Sequence, residues 1–329
     1  MRNFFAMKAR LQKYPLGKRF TDACVLHKRR LYVFGAFSTL YTGALVKYRN
    51  HESKVIRIAL AGSLSSMICE VLFHLADTVN IRAKLYNEKC SSIKVYKSIM
   101  QNEGINGLCK GISATFYGSI IAGLMYFALY KQFKEWLFKL GDGQLSPCFV
   151  FLISAFSAQS LTLLFYYPYN LFKCRLQTSN ETYRYRNLVH AFEKEITENG
   201  IKSLYKGCSP FLVMFSTTIA IQFAVYESYL RYVSRWYSGN YQKHELAHII
   251  NASFIAGAIG HAVTNGLEVI TVTKQCVPET SIKSIIHKER FGLLTKGIGA
   301  RVWYQSTQSI VFFSAVAYIG KLYNVSIEE

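Results

Sequence analysis

Phe165-Tyr166-Tyr167-Pro168-Tyr169-Asn170-Leu171-Phe172-Lys173-Cys174-Arg175-Leu176-Gln177 closes an apolar run that begins at Pro147. The run is long and uncharged enough to read as a membrane-spanning helix. Pro168 removes one backbone donor and predicts a kink near the end of that helix. A lysine, an arginine and a glutamine follow it at five, seven and nine residues. Charges at membrane depth are costly unless paired, so this cluster marks a structural or functional junction.

The same frame occurs twice more. Leu75-Ala76-Asp77-Thr78-Val79-Asn80-Ile81-Arg82-Ala83-Lys84 carries an acid and an arginine in register with it. Gly266-Leu267-Glu268-Val269-Ile270-Thr271-Val272-Thr273-Lys274-Gln275 keeps the acid and the glutamine. A second marker recurs out of phase with the first. Asn102-Glu103-Gly104-Ile105-Asn106-Gly107-Leu108-Cys109-Lys110-Gly111 matches Glu198-Asn199-Gly200-Ile201-Lys202-Ser203-Leu204-Tyr205-Lys206-Gly207, and Phe291 to Gly297 is a third copy. The closing glycines at 111, 207 and 297 lie 96 and 90 residues apart, and the acid-frame positions 77, 170 and 268 lie 93 and 98 apart. Two markers with one period define a threefold tandem repeat.

In these motifs the chain resembles the mitochondrial carrier family over roughly residues 55 to 323. The resemblance implies an all-α membrane protein: a six-transmembrane-helix bundle of three tandem pseudo-symmetric repeats with short matrix surface helices. Residues 1–54 then form a basic N-terminal extension, and 55–140, 141–240 and 241–329 form repeats one to three. The implied location is the mitochondrial inner membrane, crossed several times.

Composition agrees with a membrane protein. Of 329 residues, 51% are hydrophobic and 18% charged. The net charge of +20 is spread over loops with no basic-aromatic recognition motif, so nucleic acid is not an expected partner. The eight cysteines stand singly with no C-x-x-C, which indicates neither a zinc site nor a disulfide framework. The extension holds 12 Lys/Arg against Asp22 and Glu52, half of the chain's net charge. Its first 21 residues lack acids, which suits a presequence or an arm on anionic lipid. Residues 31–46 are uncharged but short for a span, and predict an interfacial or tilted extra helix.

Six spans are predicted, at about 55–85, 113–134, 147–177, 210–231, 244–275 and 301–321, with amphipathic surface helices near 91–103, 184–198 and 281–290. Span five is the least apolar of them. The long loops at 82–110, 173–206 and 274–301 together carry +11, and the short ones at 131–146 and 231–245 only +3. Basic loops stay on the non-translocated side, which places the long loops together, as matrix loops are in the resembled family.

The resemblance also implies two gates. At the matrix gate each motif acid faces the motif base of the next odd helix, so Asp77 would pair with Lys173, Asn170 with Thr271 and Glu268 with Asn80. One ionic pair of three remains. At the opposite gate, Lys131, Lys134 and Glu227 are remnants that no longer make a pair. The family's solute contacts map to Gly118, Met214 with Phe215, and Gln305, all uncharged. Seven residues before two of the motif acids, Glu70 and His261 fall at one level of the cavity and suit a cation or a proton. Lys110-Gly111, Lys206-Gly207 and Lys296-Gly297 place backbone amides at the membrane surface, where they suit a phospholipid phosphate. In the family these resemble cardiolipin sites, so structural cardiolipin is the expected lipid partner, with no other cofactor.

No phosphate loop, nucleophile triad or metal spacing occurs, and no enzymatic activity is expected. Eroded gates favour an accessory or structural subunit of a respiratory or other inner-membrane complex. The alternative is an active transporter of a non-anionic solute.

Overall fold

The computed structural model describes residues 35–85, 91–141, 145, 147–178, 183–236 and 241–325. It falls into two compact units, Met1–Glu52 and Ser53–Glu329. In the first, residues 35–47 are helical; 31–34, the start of the predicted extra helix, lie outside the described residues. All regular structure among the described residues of the second unit is helical.

Six long segments make up that unit. The first is α1 (Lys54–Leu72) continued by α2 (His74–Leu85). Two short helices, α3 (Ser92–Asn102) and α4 (Gly104–Leu108), lead to α5 (Ile112–Leu140) and α6 (Pro147–Gln177). Next come α7 (Leu188–Asn199), a 3-10 turn (Ile201–Tyr205) and α8 (Cys208–Trp236). The last repeat runs α9 (Tyr241–Val263), α10 (Asn265–Cys276), α11 (Ile282–Glu289), α12 (Gly292–Thr295) and α13 (Ile298–Leu322). The long segments pack in a closed ring, α1 on α5, α5 on α6, α8 on α9, α9 on α13 and α13 on α1, with α6 and α8 meeting over a short stretch. Among the described residues, four helices are apolar and long enough to cross a membrane, and α9 with α10 makes a fifth, bent by 61°. The 25-residue α13 has spanning length but carries Arg301 and Lys321.

Small residues set how closely the helices approach. A Cβ on Gly123 would lie 2.5 Å from the Ser63 Cα, and one on Gly62 would lie 2.1 Å from Phe127. The first repeat therefore packs backbone against backbone, as small residues permit.

Pro168 lies inside an uninterrupted α6, and the interruptions fall at Phe73 and Thr264, in the two helices that lack the proline. The local chemistry explains α6. Proline leaves the Leu164 carbonyl without its helical donor. The Tyr205 hydroxyl donates to that carbonyl at 2.6 Å.

The same end of every repeat is pinned by one recurring bond. His74 Nε2 lies 3.0 Å from the Lys110 carbonyl, Tyr167 Oη donates to the Lys206 carbonyl at 2.7 Å, and Asn265 Nδ2 donates to the Lys296 carbonyl at 3.1 Å. Each pinning residue stands three before its acid-frame position. Because a carbonyl only accepts, the His74 proton sits on Nε2, and Nδ1 accepts from Thr115 Oγ1 at 2.8 Å.

Candidate functional site

The acid frame brings its charges together where α2, α6 and α10 converge, at the end of the bundle that carries the surface helices. Glu70, Asp77 and Lys84 lie seven residues apart, one stripe along the first long segment. Lys173 Nζ reaches Asp77 Oδ2 at 2.9 Å and Glu70 Oε2 at 3.1 Å. Asp77 also accepts from Tyr304 Oη at 2.9 Å and from Gln177 Nε2 at 3.3 Å. Gln308 Nε2 donates to the second Glu70 oxygen at 3.0 Å. This first cluster carries two acids and one base.

The second cluster carries one acid and two bases. Glu268 receives Lys84 Nζ at 2.9 Å, Arg301 Nε at 2.6 Å and Asn80 Nδ2 at 3.3 Å. Lys84 also donates to Asn80 Oδ1, and Arg301 to Gln305 Oε1 at 3.0 Å and Thr264 Oγ1 at 3.1 Å. Lys84 and Arg301 are each 1% exposed. The clusters have net charges of −1 and +1, so together they are neutral. Buried ions are tolerated only when paired in this way.

Two expected contacts are therefore present in space, Asp77 with Lys173 and Asn80 with Glu268. A single remaining ion pair is not what the chain forms, because Lys84 and Arg301 supply a second ionic centre on Glu268. Sequence comparison of acid and base slots passed over both residues. Lys84 occupies the slot that Gln177 and Gln275 hold in the other repeats, and Arg301 comes from an even helix. Asn170 and Thr271 are not joined: Asn170 accepts from Tyr166 Oη at 3.3 Å, and Thr271 donates to the Leu267 carbonyl at 2.8 Å. Glu70 and His261 do not form a pair either, since Glu70 turns to Lys173 and Gln308 while His261 Nε2 lies 3.0 Å from Gln222 Nε2.

At the opposite end, Lys131 and Lys134 are buried in α5. Lys131 lies 3.6 Å from Glu135 one turn on, and Lys134 sits 5.0 Å from the Phe151 ring centre. The Glu227 side chain lies outside the described residues. Among the solute-contact positions, a Cβ on Gly118 would come within 3.0 Å of Tyr169, so glycine there admits close packing of α5 on α6. Met214 packs against Leu163, Tyr167, Leu171 and Phe211, and Phe215 stacks on Phe211 at 6.3 Å.

The Lys-Gly turns have a clear backbone reason. Gly111, Gly207 and Gly297 have φ of 84°, 84° and 66°, in the left-handed region that side chains resist. Each lysine ammonium faces an acid: Lys110 pairs with Glu103, Lys296 with Glu289 at 2.5 Å and Lys206 with Glu279 at 3.8 Å. Glu103 also receives Arg82. The Arg82 hydrogen bond, assisted by Lys110 and opposed by burial, pulls the Glu103 carboxyl down to about 2. In the second repeat, Arg175 lies 2.9 Å from Glu195, donates to the Gln275 carbonyl at 2.9 Å and stacks over Tyr183 at 4.4 Å. Burial raises the Glu195 carboxyl, but the Tyr185 hydroxyl and Arg175 outweigh it and hold the group below its usual range.

A family model described as "Mitochondrial carrier protein" matches residues 51–141 and 146–236. "Mitochondrial substrate carrier family protein E" of Dictyostelium discoideum is 28% identical over 277 residues, covering 77% of this chain and 91% of that protein. The chloroplastic folate transporter 1 of Arabidopsis thaliana is 33% identical over 51% of this chain and 58% of its own length. The mitochondrial coenzyme A transporter of Xenopus tropicalis is 25% identical over 68% of each chain.

Proposed function

The chain belongs to the mitochondrial carrier family, as a multi-pass protein of the mitochondrial inner membrane, and we propose that it carries a solute across that membrane by alternating access. The observation that supports this reading most is the pair of ionic clusters on Asp77 and Glu268. They join the ends of the three odd segments through side chains alone. Such contacts break and re-form without unfolding a helix, which a gate requires. The sequence reading favoured an accessory subunit because the gate looked reduced to one ion pair. With Lys84 and Arg301 included that ground weakens, and the named relatives are transporters.

On this reading the gate is closed on the matrix side. Opening it separates Lys173 from Asp77 and Lys84 from Glu268. Binding of the solute must offset that loss, since a ligand shifts an equilibrium only by its difference in affinity for the two states. Gly118, Met214, Phe215 and Gln305 offer no charge to an anion. Of the two acids that share Lys173, Glu70 is the more accessible, its side chain 35% exposed against 12% for Asp77. A neutral or cationic solute fits these contacts better than an anion does. A respiratory or other complex is not required by this reading.

Structural cardiolipin remains part of the proposal. Because Lys110 and Lys296 are engaged by acids, the phosphate contact would rest on the backbone amides that follow Gly111, Gly207 and Gly297. Uptake into liposomes tests the function. Purified protein should accumulate at least one radiolabelled solute from a panel of neutral and cationic amino acids, polyamines, coenzyme A, thiamine pyrophosphate, folate and succinate. Failure across the panel, with the protein extracted by mild detergent only inside a large assembly, would favour the subunit reading.

A further inference from the structure

The gate is uneven. Ion pairs join the first and third long segments and the fifth and first, while the acid and base slots between the third and fifth hold Asn170 and Thr271. At that third interface, a turn beyond the slots, Cys174 of α6 faces Cys276 of α10 with the sulfurs 3.3 Å apart. Both are free thiols, 2% and 7% exposed, packed with Ile81, Val272 and Leu85. Two flanking contacts cross the same seam: Arg175 to the Gln275 carbonyl at 2.9 Å, and Tyr183 Oη to the Cys276 carbonyl at 2.7 Å. We propose that Cys174 and Cys276 form a reversible intramolecular disulfide that locks the matrix gate shut. The lock rests on the transporter reading, because it acts by preventing α6 and α10 from parting.

The distance favours this chemistry. The sulfurs must close from 3.3 Å to the roughly 2.05 Å of a disulfide, a shift within reach of side-chain rotation. In the closed state the thiols are shielded, so oxidation starts when the gate opens toward the matrix. A peroxide oxidises one exposed thiolate, giving a sulfenic acid and, after proton uptake, one water. On closing, the second thiol attacks the sulfenic sulfur, the S–S bond forms and a second water leaves. The net change removes two protons and two electrons from the thiols and reduces one peroxide to two waters. A dithiol reductant reverses it by exchange.

The experiment uses the full-length protein in liposomes, with hydrogen peroxide as the oxidant and dithiothreitol as the reductant. Mass spectrometry after peroxide treatment should find a linked peptide joining Cys174 and Cys276. Hydrogen exchange of the amides in 171–177 and 269–276 should slow roughly tenfold or more as opening is suppressed. Uptake should fall several-fold and recover with dithiothreitol. Cys174→Ser and Cys276→Ser proteins should fold, keep basal exchange and ignore peroxide. Absence of the linked peptide would overturn the proposal. So would a linked protein with unchanged exchange, or Cys174→Ser protein that responds to peroxide as wild type does. Linkage and exchange are read without a solute, so lack of uptake by the reduced protein would count against the transporter reading alone.

Discussion

Replacing Glu268 by glutamine removes the carboxylate that Lys84 and Arg301 share. The shape is nearly unchanged and the Asn80 contact can persist, so the effect is electrostatic. Lys84 and Arg301 are each 1% exposed and cannot turn to water in the closed state. Breaking a buried pair by removing one partner costs about 3–5 kcal/mol, because the charge left behind is uncompensated. Here two cations are left, so the upper part of that range applies. At the size of this chain, with an unfolding entropy of about 2 cal/mol/K per residue, the loss corresponds to a fall of about 6–7 °C in melting temperature. The assay is intrinsic fluorescence of detergent-purified protein, which contains three tryptophans. Adding Lys84→Met to Glu268→Gln restores the cluster to its native charge of +1 and should recover at least half of the loss. A Glu268→Gln protein that melts with wild type would refute the reasoning, and so would a double variant less stable than the single one.

Asp77→Asn should cost less, about 1–3 kcal/mol, because Lys173 keeps Glu70 at 3.1 Å and the amide can still accept from Tyr304; a larger melting shift than that of Glu268→Gln would contradict this ranking. Gly207→Ala should destabilise by about 1–2 kcal/mol, since φ is 84° and the new Cβ would lie 3.1 Å from Tyr167 Oη, whereas Gly299→Ala, with open space around it, should not. Glu103 titrates near 2 when folded against a usual 4.5, so its contribution is fully present above about 4.5 and is lost as pH falls from there toward 2. The protection of the α3 amides, corrected for the pH dependence of intrinsic exchange, should therefore stay constant from pH 8 to about 5 and fall in more acid solution; loosening already at pH 6 would show that another group controls this helix.

Much of this architecture was legible in the chain because two markers repeat with one period and each constrains the other. The helix limits follow the apolar runs closely, and the gate pairing that the family resemblance implies matches the contacts of Asp77 with Lys173 and Asn80 with Glu268. What the pattern missed has a common cause. A frame comparison pairs each slot with its counterpart in the next repeat, so it cannot see a partner from an even helix, such as Arg301 or Tyr304. Lys84 was hidden because it fills a glutamine slot with a cation. The donor to the Leu164 carbonyl that Pro168 leaves free is hidden in the same way, because Tyr205 lies 37 residues beyond the proline. His74, Tyr167 and Asn265 differ in chemistry and share only a position, so their common bond to the Lys-Gly carbonyls is evident only in space.

The most direct test of the central claim, that the ionic clusters are a gate and not only a brace, is the initial uptake rate of the Glu268→Gln/Lys84→Met protein in liposomes, measured on a transported solute at matched protein content. The double variant should regain at least half of the lost stability but lacks the pair that must break and re-form in each cycle. The account predicts that its uptake stays well below wild type although its melting temperature recovers. Uptake that returns to the wild-type rate together with stability would contradict it.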